Sequence, residues 1–181
     1  EQEFLNCSYG FRPGRSAHDA LRALNAAAMR GETQWLLETD IQSFFDSLDR
    51  TELSKMLRQR VADESFLRLV GKCLNVGVLD GEQYSKPDEG TVQGSTLSPM
   101  LGNIYLHHVL DAWFEREVEP RLRGRTCLIR YADDLVIGFE RRDDAERVWQ
   151  VLPRRMAKCG LTLHPDKTRL LPFGAPPRRQ T

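Results

Sequence analysis

Apolar residues recur at helical spacing between residues 17 and 28, where Ala20, Leu21, Leu24, Ala27 and Ala28 share one face, and Ser16 with Asp19 three positions on predicts the cap that starts that helix. The run "QWLLETDI" (34–41) predicts a strand, and "FF" with a short turn follows it. Thr51 predicts the start of a second helix, with Leu53, Met56 and Leu57 on its apolar face, and "DESFLRLVGKCL" predicts a third. Asp80-Gly81 inside "VLDGEQY" is a two-residue hairpin signal. A long helix is predicted from about Ser98 to Glu117, with Pro120 stopping it. "TCLIRYADDLVIGFE" predicts strand, turn, strand. Asp143 is placed to cap the next helix, which runs to Gly160, and "LTLH" and "TRLLPF" predict two short closing strands. Helices and strands mix without regular βαβ alternation, so the expected class is α+β with an antiparallel sheet.

Composition narrows this little and charge somewhat more. A chain of 181 residues with 40% hydrophobic and 29% charged positions suits one soluble domain. It holds no apolar run near the ~18 residues of a membrane span and no signal-peptide pattern, so no membrane partner is expected. Four cysteines without a C-x-x-C pair suggest reduced thiols in a cytoplasmic protein. Net charge is zero, which argues against a generic nucleic-acid coat, yet residues 1–90 carry 11 basic and 15 acidic side chains and residues 91–181 carry 15 and 11. From Gln150 onward seven basic residues accompany one acid, Asp166. Such an end suits a phosphate backbone, and equally a solvated tail.

The candidate chemistry lies in "CLIRYADDLVIGFE" (127–140), where Asp133 and Asp134 stand side by side within an apolar run. Charges in a half-buried segment are costly unless compensated. Adjacent strand side chains point to opposite faces, so the pair is a poor acid/base dyad. In a tight turn, however, both carboxylates can reach one side, and Asp40 at the end of "QWLLETD" can complete a hard-oxygen cage for two Mg²⁺ ions. A lone Asp-Asp in a loop is usually a solvated turn; here all three acids border apolar strands.

Five blocks, "YGFRPGRSAHDAL" (9–21), "TDIQSFFD" (39–46), "GTVQGSTLSPMLGNIYL" (90–106), "RYADD" (130–134) and "GLTLHPDKTRLL" (160–171), resemble in order and spacing those of bacterial group II intron reverse transcriptases. The resemblance implies a right-hand polymerase palm, an antiparallel sheet packed on helices, with partial fingers: about 1–35 and 50–90 partly fingers, 36–49 and 91–181 palm. It implies Asp40, Asp133 and Asp134 as catalytic ligands of two Mg²⁺ ions, for which Mn²⁺ can substitute, with Ile41 counted among both the metal and the dNTP positions. Phe45 falls where the family sets an aromatic gate against the 2′-OH, selecting dNTP over rNTP, and Phe44 is left to packing. Gln93, in a Gly-flanked loop before the long helix where a side chain can approach a nucleotide, is an expected dNTP contact. Lys167 in "HPDKT" resembles the lysine that neutralises, and can protonate, the departing pyrophosphate. Arg12 and Arg15 look like triphosphate contacts; which of them serves is open, and Arg15 suits a template phosphate as well. His18, His107, His108 and His164 lack metal-ligand spacing and are expected to be structural.

Val92 and Ser95 depart from the proline and glycine usual in the family. The chain starts at the second finger block and stops after the last palm strand, so thumb and maturase regions are expected elsewhere in a longer protein or on a partner chain. The implied activity is RNA-directed DNA polymerisation, with RNA template, DNA primer, dNTP and intron RNA as partners. A retron- or CRISPR-associated reverse transcriptase, or a non-catalytic RNA-binding maturase remnant, are the alternatives; three clustered carboxylates speak against the last.

Overall fold

The computed structural model describes residues 2–74, 78–80, 83–85 and 97–173. Helix α1 (Ala17–Met29) opens on a reciprocal cap, Ser16 accepting from the Asp19 amide while the Asp19 carboxylate accepts from the Ser16 amide. Strand β1 (Trp35–Thr39) follows, then α2 (Arg50–Arg58), α3 (Glu64–Leu74) and a small hairpin, β2 (Val78–Asp80) with β3 (Gln83–Ser85). Asp49, not Thr51, begins α2: its carboxylate accepts from the Thr51 and Glu52 amides, leaving Thr51 inside the first turn.

Helix α4 begins at Ser98–Leu106 and continues through wider turns, in which the Ala112 amide reaches back to the His107 carbonyl and the Glu119 amide to that of Phe114. It ends in a tight turn at Glu119–Arg121, past the expected stop. Pro120 sits in the first turn of that last segment, where its missing N–H costs nothing. Strands β4 (Thr126–Tyr131) and β5 (Asp134–Phe139) and helix α5 (Arg142–Ala157) follow. Asp143 does not cap α5; it lies in the first turn and forks onto Arg141. "LTLH" contributes one bridge, Leu163 opposite Ile41, instead of a strand, and β6 (Arg169–Pro172) closes the sheet.

The main sheet is antiparallel in the order β4-β5-β1-β6. Its inner face, with Leu37, Ile137 and Phe139 fully buried, packs on Tyr105 and Val109 of α4 and Leu152 of α5. Each large apolar side chain so removed from water contributes ~1.5–3 kcal/mol before entropy is counted. The outer face carries Ile129, Tyr131, Asp134, Val136 and Glu38, and α1 lies against its β4 end. The β4 edge is extended by residues 7–9, where the Tyr9 amide donates to the Arg130 carbonyl and the Arg130 amide to that of Cys7. The four cysteines are free, and among the described residues no helix is long and apolar enough to cross a membrane.

Candidate active site

β1 and β5 pair up to Thr39 opposite Leu135, so the next residues, Asp40 and Asp134, face each other at the end of the two central strands. Side chains alternate along a strand, which puts both carboxylates on the outer face. β4 and β5 are joined by Ala132 and Asp133 alone, since Tyr131 pairs with Asp134. Ala132 has a φ of +57°, a left-handed conformation that L-residues other than glycine rarely adopt. The tight turn allows Asp133 and Asp134 to lie near the same cleft. Asp40, Asp134 and Lys167 line one side of it, and Asp40, Asp133, Phe45 and Lys167 line an adjoining space of about 430 Å³.

The electrostatics follow from this crowding. Burial raises the Asp134 carboxyl above its ordinary range, and the Asp133 and Asp40 charges raise it further, opposed by Lys167. Lys167 Nζ donates to Asp40 Oδ2 at 2.9 Å, and this bond with the Asp40 charge holds the ammonium above its usual value. Asp40 is fixed from behind as well: its carbonyl accepts from the His164 amide at 2.8 Å, and the Gln42 amide donates to Thr162. The segment carrying Lys167 is thereby stitched to the segment carrying Asp40.

Among the described residues no three His, Cys, Asp or Glu side chains are gathered closely enough to enclose a cation by themselves. An open donor set still fits Mg²⁺, which keeps several waters and is bound through one or two carboxylates plus substrate phosphates. The elevation of Asp134, by burial first and by the neighbouring carboxylates second, and the lysine cation held on Asp40 mark a place where positive charge is wanted.

The other expected residues divide. Ile41 is buried in the core, so its main-chain carbonyl is what it could offer a cation or nucleotide. Phe44 is 3% exposed and Phe45 is half-buried, their ring centroids are 5.1 Å apart, and both border the space that Asp40, Asp133 and Lys167 line. Both rings press on Gly102 of α4, where an added Cβ would come within 2.9 Å of Phe44 Cε1 and 3.2 Å of Phe45 Cε1. Arg12 and Arg15 are not gathered with the carboxylates. Arg12 donates to the Leu5 and Ser8 carbonyls and stacks over Phe4; Arg15 donates to Asn6 and Ser8 and stacks over Tyr9. Gln93, with Val92 and Ser95, lies outside the described residues.

Behind the turn stands a cluster that the sequence reasoning passed over. Arg130 has no exposed surface and forks onto Asp111 of α4, itself 1% exposed, at 2.9 and 2.6 Å. It also donates to Asn103 Oδ1, to Ser8 Oγ and to the carbonyl of Ala132 in the turn. Asn103 in turn donates to the Gly10 carbonyl at 2.8 Å, and Gly10 lies so close to Ala132 that a Cβ would fall 2.4 Å from its amide nitrogen. The signal was present: Arg130 and Asp111 are single charges in apolar runs, much as the Asp133–Asp134 pair is a charged pair in one.

Residues 2–174 match the family described as reverse transcriptase (RNA-dependent DNA polymerase). The group II intron-encoded protein LtrA of Lactococcus lactis subsp. cremoris is 38% identical over 128 residues, covering 67% of this chain and 21% of LtrA. An uncharacterized 91 kDa protein in the cob intron of Schizosaccharomyces pombe is 44% identical over 149 residues, covering 79% of this chain and 18% of that protein. YkfC of Escherichia coli is 36% identical over 165 residues, covering 76% and 43%. The chain thus spans less than half the length of each of these relatives. Among solved structures, apo telomerase from Candida tropicalis truncated from the C-terminal domain superposes with a TM-score of 0.69 at 16% identity, over 94% of this chain and 37% of that one. At that identity the likeness shows the fold.

Proposed function

The chain belongs to the reverse transcriptase family, and from that premise we propose that it is the fingers–palm core of an RNA-directed DNA polymerase of group II intron type. Its reaction is attack of a primer 3′-OH on the α-phosphate of a dNTP, paired to an RNA template, with release of pyrophosphate. The observation that carries this is the facing of Asp40 and Asp134 on the open sheet face, with Asp133 in the two-residue turn between β4 and β5. These three residues would hold two Mg²⁺ ions, which Mn²⁺ can replace; when bound, such a pair stabilises the attacking and leaving oxygens of an in-line displacement.

The chain's own residues do the rest. Lys167, kept protonated beside Asp40, is placed to meet the charge that develops on the leaving pyrophosphate. Phe45, on the wall of the same space, is placed to fill the room that a 2′-OH would need. Ile41 offers its main chain, and Gln93 with Arg12 or Arg15 is the proposed contact for the triphosphate. The intron RNA is the proposed natural partner, in keeping with the names of the relatives.

The test is addition of a single complementary dNTP to a DNA primer on an RNA template in Mg²⁺. Addition is expected, and Asp134→Asn is expected to abolish it. Addition that survives this substitution would overturn the assignment of the carboxylates.

A further inference from the structure

We propose that Arg130 is a positioning residue, and that the cluster it forms with Asp111 and Asn103 sets how tightly the carboxylates bind divalent cations. This rests on the two-cation site proposed above. A guanidinium carries five N–H donors in a rigid fork, and the five hydrogen bonds of Arg130 go to Asp111 twice, Asn103, Ser8 and the Ala132 carbonyl. A buried ion pair is poor evidence for stability on its own, because apolar side chains of similar volume often serve as well. No apolar side chain can hold the Ala132 carbonyl, however, and Ala132 is the residue whose backbone is in an unfavourable left-handed conformation.

Two restraints therefore converge on that one residue. Arg130 grips its carbonyl from the inner face, and Gly10, itself tied to Asn103, closes against its amide. Asp133 and Asp134 are the next two residues along the chain. Asp40 faces Asp134 and Asp133 adjoins it, so the three like charges repel one another and in the absence of a cation the turn is pushed to spread them. The cluster opposes that spreading and keeps the carboxylates preorganised, which lowers the reorganisation that cation binding would otherwise require.

The test is titration of the chain with Mn²⁺ alone, reading free Mn²⁺ by electron paramagnetic resonance, with the thermal midpoint measured alongside. Asn103→Leu leaves the Arg130–Asp111 pair whole and cuts the tie to Gly10. The pair Arg130→Met with Asp111→Leu removes both buried charges together. Both are expected to weaken Mn²⁺ binding to the folded chain about tenfold or more in addition to any fall in the midpoint from the partners left unpaired, whereas a merely structural role would move the midpoint and leave the affinity of the folded chain unchanged. Asp40→Asn and Asp134→Asn serve as reference. If those two substitutions leave Mn²⁺ binding unaltered, the cation site itself is wrong. If they abolish it while Asn103→Leu binds as the parent does, the positioning role is overturned, and the Asn103→Leu result decides should the double substitution unfold the chain.

Discussion

Lys167 Nζ lies 2.9 Å from Asp40 Oδ2 across the mouth of the carboxylate cleft, although the two residues are joined only by a long path through the chain. The backbone bonds from Gln42 to Thr162 and from His164 to Asp40 bring them there. The lysine is solvent-exposed, so the pair adds little to folding; its value is in where the charge sits. Lys167→Ala is expected to lower kcat for single-nucleotide addition by about 10²-fold, the scale for losing one preorganised donor to developing charge, with a smaller change in KM for dNTP. Unchanged kcat in single-turnover measurements would remove Lys167 from the chemistry.

Phe45→Val should open the space beside the proposed sugar position. Shape exclusion of one small group is worth ~1–3 kcal/mol, so the ratio of rNTP to dNTP insertion is expected to rise roughly tenfold or more. Competition assays with matched rNTP and dNTP read this directly. An unchanged ratio with efficient dNTP insertion would make Phe45 a packing residue like Phe44.

Gly102→Ala is expected to destabilise the chain. Its Cβ would stand 2.9 Å from Phe44 Cε1, on a ring with no free space, and 3.2 Å from Phe45 Cε1. Overpacking of this kind costs ~1–3 kcal/mol, to be read as a lowered urea midpoint at unchanged slope.

His107 is buried against Phe4 and His108, with ring centroids at 5.7 and 5.2 Å. Burial lowers its pKa from the usual 6.5, and the charges of His108 and Arg130 add to this while Asp111 opposes it. His108 is lowered too, chiefly by burial. The unfolded chain therefore takes up these protons at higher pH than the folded one. The stability that depends on neutral rings is present in full above about pH 6.5 and is lost as pH falls through the lowered folded-state values. The urea midpoint should drop between pH 7.5 and 5.5, and His107→Phe should reduce that drop.

Elements with a strong period or a local cap were legible in the sequence. Ser16 with Asp19, the strand 34–41 and the "RYADD" hairpin appear where their patterns place them, because short-range chemistry decides each one. "LTLH" alternates like a strand, yet only Leu163 finds a bridge partner, since backbone pairing depends on what lies alongside. Asp143 has the identity of a cap, but Arg141 two residues before it donates to both of its carboxylate oxygens. The facing of Asp40 and Asp134 could be anticipated because both end strands. The cluster behind them could not be assembled, since Ser8, Asn103, Asp111 and Arg130 are brought together only by tertiary packing.

The wide turns of α4 bear on how the chain can change over evolutionary time. Asn103 and Asp111 are eight residues apart, which in an ordinary α-helix overshoots two turns by nearly one residue; the wider turn from His107 absorbs the surplus, and both side chains meet Arg130. A wide turn holds one residue more than a regular one. Deleting a residue between His107 and Asp111 would let the turn close to regular geometry, and seven regular steps of about 100° still complete two turns to within about 20°, so the aspartate would stay on the face of Asn103. This stretch of helix can therefore shed its extra residue and keep its face, and relatives that keep an arginine before the Asp-Asp turn are expected to show either this spacing or one residue fewer between their counterparts of Asn103 and Asp111.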